Sequence, residues 1–154
     1  MRKLILAAAL LGIFAVSAFA GGGDVPIAVK TKFASEYPTV KKAKWDNEDG
    51  KFEASFELNG VEMSATYDAS ANKLETESEI AVSALPKAAV EYVSKNLAGK
   101  KIKESSKIVD SKNTTTFEAE VDGADYIFDS NGNFLSKKVE NDEDKDDDEK
   151  DEKK

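Results

Sequence analysis

The chain contains no cysteine and no histidine. The first absence excludes disulfides, a thiol nucleophile, a cysteine-based zinc site and a lipid-modified cysteine. The second removes the commonest general base and the commonest transition-metal ligand, so no Ser-His or Cys-His pair can be assembled. Cations are outnumbered: 22 Lys and Arg stand against 30 Asp and Glu, a net charge of −8 over 154 residues. A negative chain argues against nucleic acid, whose affinity comes mainly from cationic contacts to phosphate. With no disulfide available, an exported version of this chain must be held by its apolar core alone.

Export is what the opening residues predict. In "MRKLILAAALLGIFAVSAFA", Arg2 and Lys3 precede an apolar run that closes on Ala18-Phe19-Ala20, the pattern of a signal peptide with a small-x-small cleavage site. The rival reading is an uncleaved anchor, because the run from Leu4 to Ala20 is 17 residues and touches the lower limit for crossing a bilayer. Cleavage after Ala20 is the expectation, leaving 134 residues with no membrane span and a periplasmic or secreted location. At the other end "ENDEDKDDDEKDEKK", 140–154, holds 10 acidic and 4 basic residues. It has no apolar group to offset the entropy of ordering, so a disordered, solubilising acidic tail is expected.

Between them the sequence repeats itself. "DVPIAVKTKFASEYP" has a counterpart sixty positions later in "ALPKAAVEYVSKNLA", with Pro26 matching Pro86 and Tyr37 matching Leu97. "KKAKW" echoes "KKIKE", "FELNG" echoes "AEVDG", and "YDASANKL" (67–74) echoes "FDSNGNFL" (128–135). Each copy reads as a short helix followed by a strand meander. Asp24 is a candidate N-cap, Pro26 suits a first helical turn, and Ile27, Val29, Phe33 and Tyr37 form a stripe that Pro38 ends. In the second copy Ser83 or Ala84 precedes Pro86, and Ala89, Val90, Val93 and Leu97 form the stripe.

Strand signals are stronger. Phe52, Ala54, Phe56 and Leu58 alternate with polar residues up to Asn59-Gly60, and Val61, Met63, Ala65 and Tyr67 alternate after it. Asn-Gly flanked by period-two alternation predicts a tight hairpin. Thr115 to Val121, Asp122-Gly123 and Ala124 to Phe128 repeat it, and Asp49-Gly50 predicts another turn. The fold class expected is α+β: two tandem α-β-β-β-β units, an antiparallel sheet with helices on one face. The expected boundaries are 1–20 signal peptide, 21–24 linker, 25–78 first unit, 79–84 linker, 85–139 second unit and 140–154 tail.

These features resemble the PepSY-like domains of exported bacterial proteins, also described as beta-lactamase-inhibitor-like. The proline-led helix, the "KKAKW" strand, the Asn-Gly or Asp-Gly hairpin and the "YD…L" or "FD…L" turn carry the resemblance, over roughly 24–138. It implies a non-catalytic exported binding module, inhibitor-like, whose open sheet face grips another protein of the envelope or the medium. Glu104 stands where the first copy has Trp45, so a function needing Trp in both units is not implied.

The polar face predicted from the alternation carries Lys44, Asp46, Glu53, Ser55, Glu57, Glu62, Ser64 and Thr66 in one copy. Thr114, Thr116, Glu118, Glu120 and Asp125 carry it in the other. The candidate partner-binding residues are Lys44, Asp46, Glu53, Ser55, Glu57, Glu62, Thr66, Glu118 and Glu120. The aromatics fall on the covered side, whereas interface hot spots favour Trp, Tyr and Arg, so these residues do not support a tight lactamase interface. No cofactor is expected. The alternative is an acidic envelope protein whose tail and acidic face bind divalent cations, weakly Ca²⁺; its candidate metal ligands are Asp129, Asn131 and Asn133, spaced like the first half of an EF-hand loop. Gly132 falls at the fourth loop position instead of the sixth, which favours a hairpin turn there. Ser70-Ala71-Asn72-Lys73 fits Ser-x-x-Lys, but it lies in a predicted turn and its companion motifs are missing.

Overall fold

The structure is a computed structural model that describes residues 25–139. The expected signal peptide, the 21–24 linker, the acidic tail and the candidate cap Asp24 lie outside the described residues. The element order is α1 (Ile27–Glu36), β1 (Lys44–Glu48), β2 (Lys51–Leu58), β3 (Val61–Tyr67) and β4 (Lys73–Glu79). A 3-10 turn at Val82–Ala84 then leads to α2 (Lys87–Asn96), β5 (Ile102–Asp110), β6 (Thr115–Val121), β7 (Ala124–Asp129) and β8 (Phe134–Val139). The strands form one antiparallel eight-stranded sheet in sequence order, so the class is α+β. Pairing of Glu75–Glu79 with Ser106–Asp110 joins its two halves edge to edge.

Both helices begin at a proline in the capping position, Pro26 with φ −53° and ψ 140°, Pro86 with φ −53° and ψ 136°. In the second copy Ser83 and Ala84 lie in the 3-10 turn ahead of Leu85, and Pro86 itself takes the capping position. The proline ring already fixes φ near the helical value and has no N–H to satisfy, so the chain turns into the helix there without a side-chain cap. The buried stripe also differs from the expected one. Ile27 is 83% exposed and Val90 is 37% exposed. The residues facing the sheet are Val25, Val29 and Phe33, with Tyr37 partly buried, and Leu85, Ala89 and Val93, with Leu97 partly buried. Each series runs at a spacing of four and begins one residue before the proline, outside the helix. Spacing of four stacks side chains on one helix face, and Ile27, two residues from Val29, points away.

Three two-residue turns, Asp49-Gly50, Asn59-Gly60 and Asp122-Gly123, have positive φ at both positions. That is the type I′ geometry that matches strand twist and that Asn-Gly and Asp-Gly favour. Three longer turns share another design. Asp68 Oδ1 accepts from the Ser70 and Asn72 amides, Asp110 Oδ1 from Lys112 and Thr114, and Asp129 Oδ1 from Asn131 and Asn133, all at 2.8 to 2.9 Å. Each has its one positive-φ residue three places after the aspartate: Ala71, Asn113 and Gly132.

Two apolar clusters fill the space between helices and sheet. In the first, Phe33 packs edge-on against Trp45 and Phe56, with ring centroids 5.3 and 5.1 Å away, and tilted against Tyr37 at 5.1 Å. In the second, Val93 and Ala89 sit over Ala119, Val121, Tyr126 and Phe128. Fully burying such side chains contributes roughly 1.5–3 kcal/mol each, and this is what holds a chain without disulfides together. At the end of α1 the Tyr67 hydroxyl donates to Glu36 Oε2 at 2.8 Å, while Lys32 and Lys73 lie 3.2 and 3.5 Å from the same carboxylate.

Candidate functional site

Strand register fixes what shares the face opposite the helices. One row crosses the sheet as Asp46, Glu53, Thr66, Glu75 and Asp110. A second runs Lys44, Ser55, Ser64, Glu77, Ile108 and Thr116, and Glu57 pairs with Glu62 on the same face. Two further rows are Glu79, Ser106, Glu118 and Ile127, and Glu104, Glu120, Asp125 and Lys138. All nine candidate partner-binding residues therefore share a face. They do not form one patch, because β4 and β5 separate the seven on β1 to β3 from Glu118 and Glu120 on β6.

Alternation in the sequence predicts a wet face, and at its centre the structure differs. Glu77, Glu118, Glu120, Asp125, Ser64 and Ser106 are all buried, with Glu118 only 3% exposed. Among the described residues no helix lies over this face. Each buried carboxylate there sits between cross-strand neighbours on both sides: Glu77 between Ser64 and Ile108, Glu118 between Ser106 and Ile127, Glu120 between Glu104 and Asp125, and Asp125 between Glu120 and Lys138. Glu48, Glu57 and Glu75 remain exposed.

Taking a carboxylate out of water is costly unless it is paired or hydrogen-bonded. Glu53 Oε1, Glu77 Oε1, Glu118 Oε2 and Glu120 Oε2 are buried and have no hydrogen-bond partner among the described residues. The Ser106 hydroxyl lies against Glu77 and favours its charged form, without the distance and alignment of a full hydrogen bond. Glu120 Oε1 does have a partner, the Lys103 ammonium at 3.2 Å. Burial, reinforced by Glu77, Asp125 and Glu75 and opposed by Lys138, pushes Glu118 up to about 9. Burial likewise raises Glu77 to about 7, with Glu53, Glu75 and Asp125 adding to it. Glu53 also rises to about 7, again mainly through burial, with Asp46, Glu75 and Glu48 adding and Ser64 opposing. Near neutral pH these side chains therefore share fewer charges than their number suggests, and an incoming cation could take the place of their protons.

Glu77, Glu79, Glu104 and Ser106 belong to this cluster but were not among the candidates read from sequence. "ETESEI" does alternate and falls where the last short strand of the first unit runs into the link, but it carries almost no apolar residue, so nothing in it marks a strand at the centre of the sheet. Asp129, Asn131 and Asn133 come together as a turn. Both Asp129 oxygens accept hydrogen bonds from the turn itself, Oδ2 from the Asn133 side-chain amide at 2.8 Å. The turn at Asp68, between β3 and β4, makes the same bonds with Ser70 and Asn72. Among the described residues no group of three or more acidic side chains is arranged to hold a metal ion, and no helix is long and apolar enough to cross a membrane.

No family model matches the chain, and no curated protein matches its sequence. Solved structures do match its fold. A BLIP-like protein from Bacteroides fragilis superposes with a TM-score of 0.62 at 22% identity, over 84% of this chain and 94% of that one. A DUF2874 family protein from Bacteroides ovatus gives 0.65 at 18% identity, over 76% and 89%. A protein from Bacteroides eggerthii, provisionally described as periplasmic, gives 0.67 at 15% identity, over 75% and 89%. The fold is therefore that of the BLIP-like and DUF2874 structures.

Proposed function

We propose that the protein is an exported, non-catalytic binding module of the periplasm that holds a basic segment of another protein on the acidic face of its sheet. The observation that carries this reading is that, among the described residues, buried carboxylate oxygens of Glu77, Glu118 and Glu120 have no partner and no helix covers their face. Buried polar groups are nearly always hydrogen-bonded, and a partner that brings donors and positive charge would supply what the chain itself does not. Around this centre Asp46, Glu53, Glu57, Glu62 and Glu75 extend the same charge towards β1, with Lys44, Ser55 and Thr66 between them. The aromatic side chains pack beneath the helices, so docking here is electrostatic and does not depend on aromatic anchors.

Export is supported by the basic and apolar opening residues and by structural neighbours described as periplasmic. The absence of cysteine and histidine supports a non-catalytic role, and a BLIP-like neighbour supports an inhibitor-like one. The repeated proline caps, I′ turns and aspartate turns support two tandem PepSY-like units, the second a copy of the first.

Chemical crosslinking of the tagged full chain in native envelope extract, followed by mass spectrometry, tests this reading. A variant with Glu48, Glu57 and Glu75 changed to Lys reverses charge at exposed positions of the same face. The expected result is a partner enriched by the native chain and lost with the variant. Equal recovery by both would refute docking on this face.

A further inference from the structure

At the centre of the open face Glu77 and Glu79 on β4, Glu104 and Ser106 on β5, and Glu118 and Glu120 on β6 surround a recess of about 10 Å³. That is the room one water-sized sphere takes. Clustered acidic residues alone would only mark a charged face. Here three of them, Glu77, Glu118 and Glu120, are more than nine-tenths buried. Each has a carboxylate oxygen without a hydrogen-bond partner among the described residues: Oε1 of Glu77 and Oε2 of the other two. Lys103 reaches the rim and holds Glu120 Oε1, but it leaves Oε2 without a partner.

The group that complements this recess is positively charged, occupies about the volume of one heavy atom with its hydrogens, and offers several N–H donors in different directions. A primary ammonium has three donors on one nitrogen. A guanidinium is planar and spreads its donors over three nitrogens, too wide for the space. Ca²⁺ needs six to eight oxygens at about 2.3–2.6 Å, and no such acidic group occurs among the described residues. We propose that the recess receives the ammonium head of a lysine side chain on the bound partner, hydrogen-bonded to Glu77, Glu118 and Glu120. This rests on the reading that the face docks a basic partner and names the group it grips.

Proton release should accompany binding. The charged groups facing Glu118 are Glu75 and Glu77 on β4, Asp125 on β7 and Lys138 on β8, with Glu104 and Lys103 on β5 beside Glu120. Acidic groups predominate, so without a ligand Glu118 retains its proton near neutral pH and an ammonium displaces it.

The test is NMR of side-chain carboxyl carbons in the full chain labelled at glutamate, titrated at constant ionic strength with n-butylammonium, tetramethylammonium or calcium chloride. The expected result is that n-butylammonium shifts the Glu77, Glu118 and Glu120 signals and lowers the Glu118 pKa by about one unit or more. Tetramethylammonium, with the same charge and no N–H, should leave them in place, and Glu118→Gln should abolish the response while the backbone spectrum keeps its dispersion. Equal shifts with both amines would mean screening only, and a response to calcium alone would mean a metal site; either overturns the proposal. If n-butylammonium binds but partner capture survives Glu118→Gln, the amine site stands and the docking role assigned to it falls. If capture is lost in the Glu48, Glu57 and Glu75 variant while n-butylammonium has no effect, docking stands and the lysine recess falls.

Discussion

Replacing Glu118 with Gln should make the protein less sensitive to alkali. The folded chain holds Glu118 at about 9 against an ordinary value of 4.5. It therefore binds a proton that the unfolded chain has released throughout that interval, and stability falls as pH rises. The contribution is fully present below pH 4.5 and is lost as pH passes through 7, where Glu53 and Glu77 ionise, towards 9, where Glu118 does. At 1.36 kcal/mol per pKa unit, Glu118 alone sets a ceiling of about 6 kcal/mol, a large share of a typical total of about 5–15 kcal/mol. Glu77 acts on Glu118, and Glu53 on Glu77, so the three titrate together and their effects do not add. The working expectation is a loss of several kcal/mol between pH 6 and pH 9, of which Glu118→Gln recovers about 2–4 kcal/mol at pH 9. Below the ordinary carboxylate range the trend reverses. There Glu36, Asp68, Asp110, Asp122 and Asp129, all held below their usual values, begin to be protonated. The stability maximum should thus fall near pH 5. Urea unfolding followed by the fluorescence of Trp45, the one tryptophan, measures it at each pH. A native chain as stable at pH 9 as at pH 6, or a Glu118→Gln variant with an unchanged pH slope, would refute the reasoning.

Other expectations concern the scaffold. Gly132 has φ +85°, and a Cβ there would sit 2.8 Å from Ala89 N and from Pro86 Cβ, so Gly132→Ala should cost about 2–4 kcal/mol through strain and overpacking, read as a lower urea midpoint. Ala71 occupies the matching turn position with φ 64°, and Ala71→Gly should raise stability by about 0.5–1 kcal/mol; a loss on that substitution would contradict the shared turn design. Tyr67→Phe deletes the hydroxyl that meets Glu36 Oε2 at 2.8 Å and should cost about 1–3 kcal/mol, measured the same way. Phe33→Ala removes the ring that touches Tyr37, Trp45 and Phe56 and should cost about 3–5 kcal/mol, with a red shift of Trp45 emission in the native state.

Much of the architecture was legible because its signals are local. Asn59-Gly60 and Asp122-Gly123 demand positive φ and so name their own turns. Period-two alternation around them gives the strands, and Pro26 and Pro86 mark where the helices start. The helix stripes were less legible, because Val25 and Leu85 pack from outside the helices and Ile27 looks as though it should. Pairing of β4 with β5 left no signature at all: it depends on the two halves meeting in space, and Glu75, Glu77 and Glu79 carry no apolar side chains to announce a central strand. The same blind spot hid half the candidate site. Glu118 and Glu120 could be placed on a face, but their burial depends on which strands flank β6, and with it go the raised pKa of Glu118 and the recess.

The central claim is that the face opposite the helices is where another protein binds. Photo-crosslinking from single positions of the full chain tests it most directly, with a photoreactive residue at Ser55 or Thr116 on that face, or at exposed Glu91 on α2. One partner should crosslink from Ser55 and Thr116 and not from Glu91, through peptides that contain lysine. Crosslinking to the same partner only from Glu91, or equally from all three positions, would contradict it.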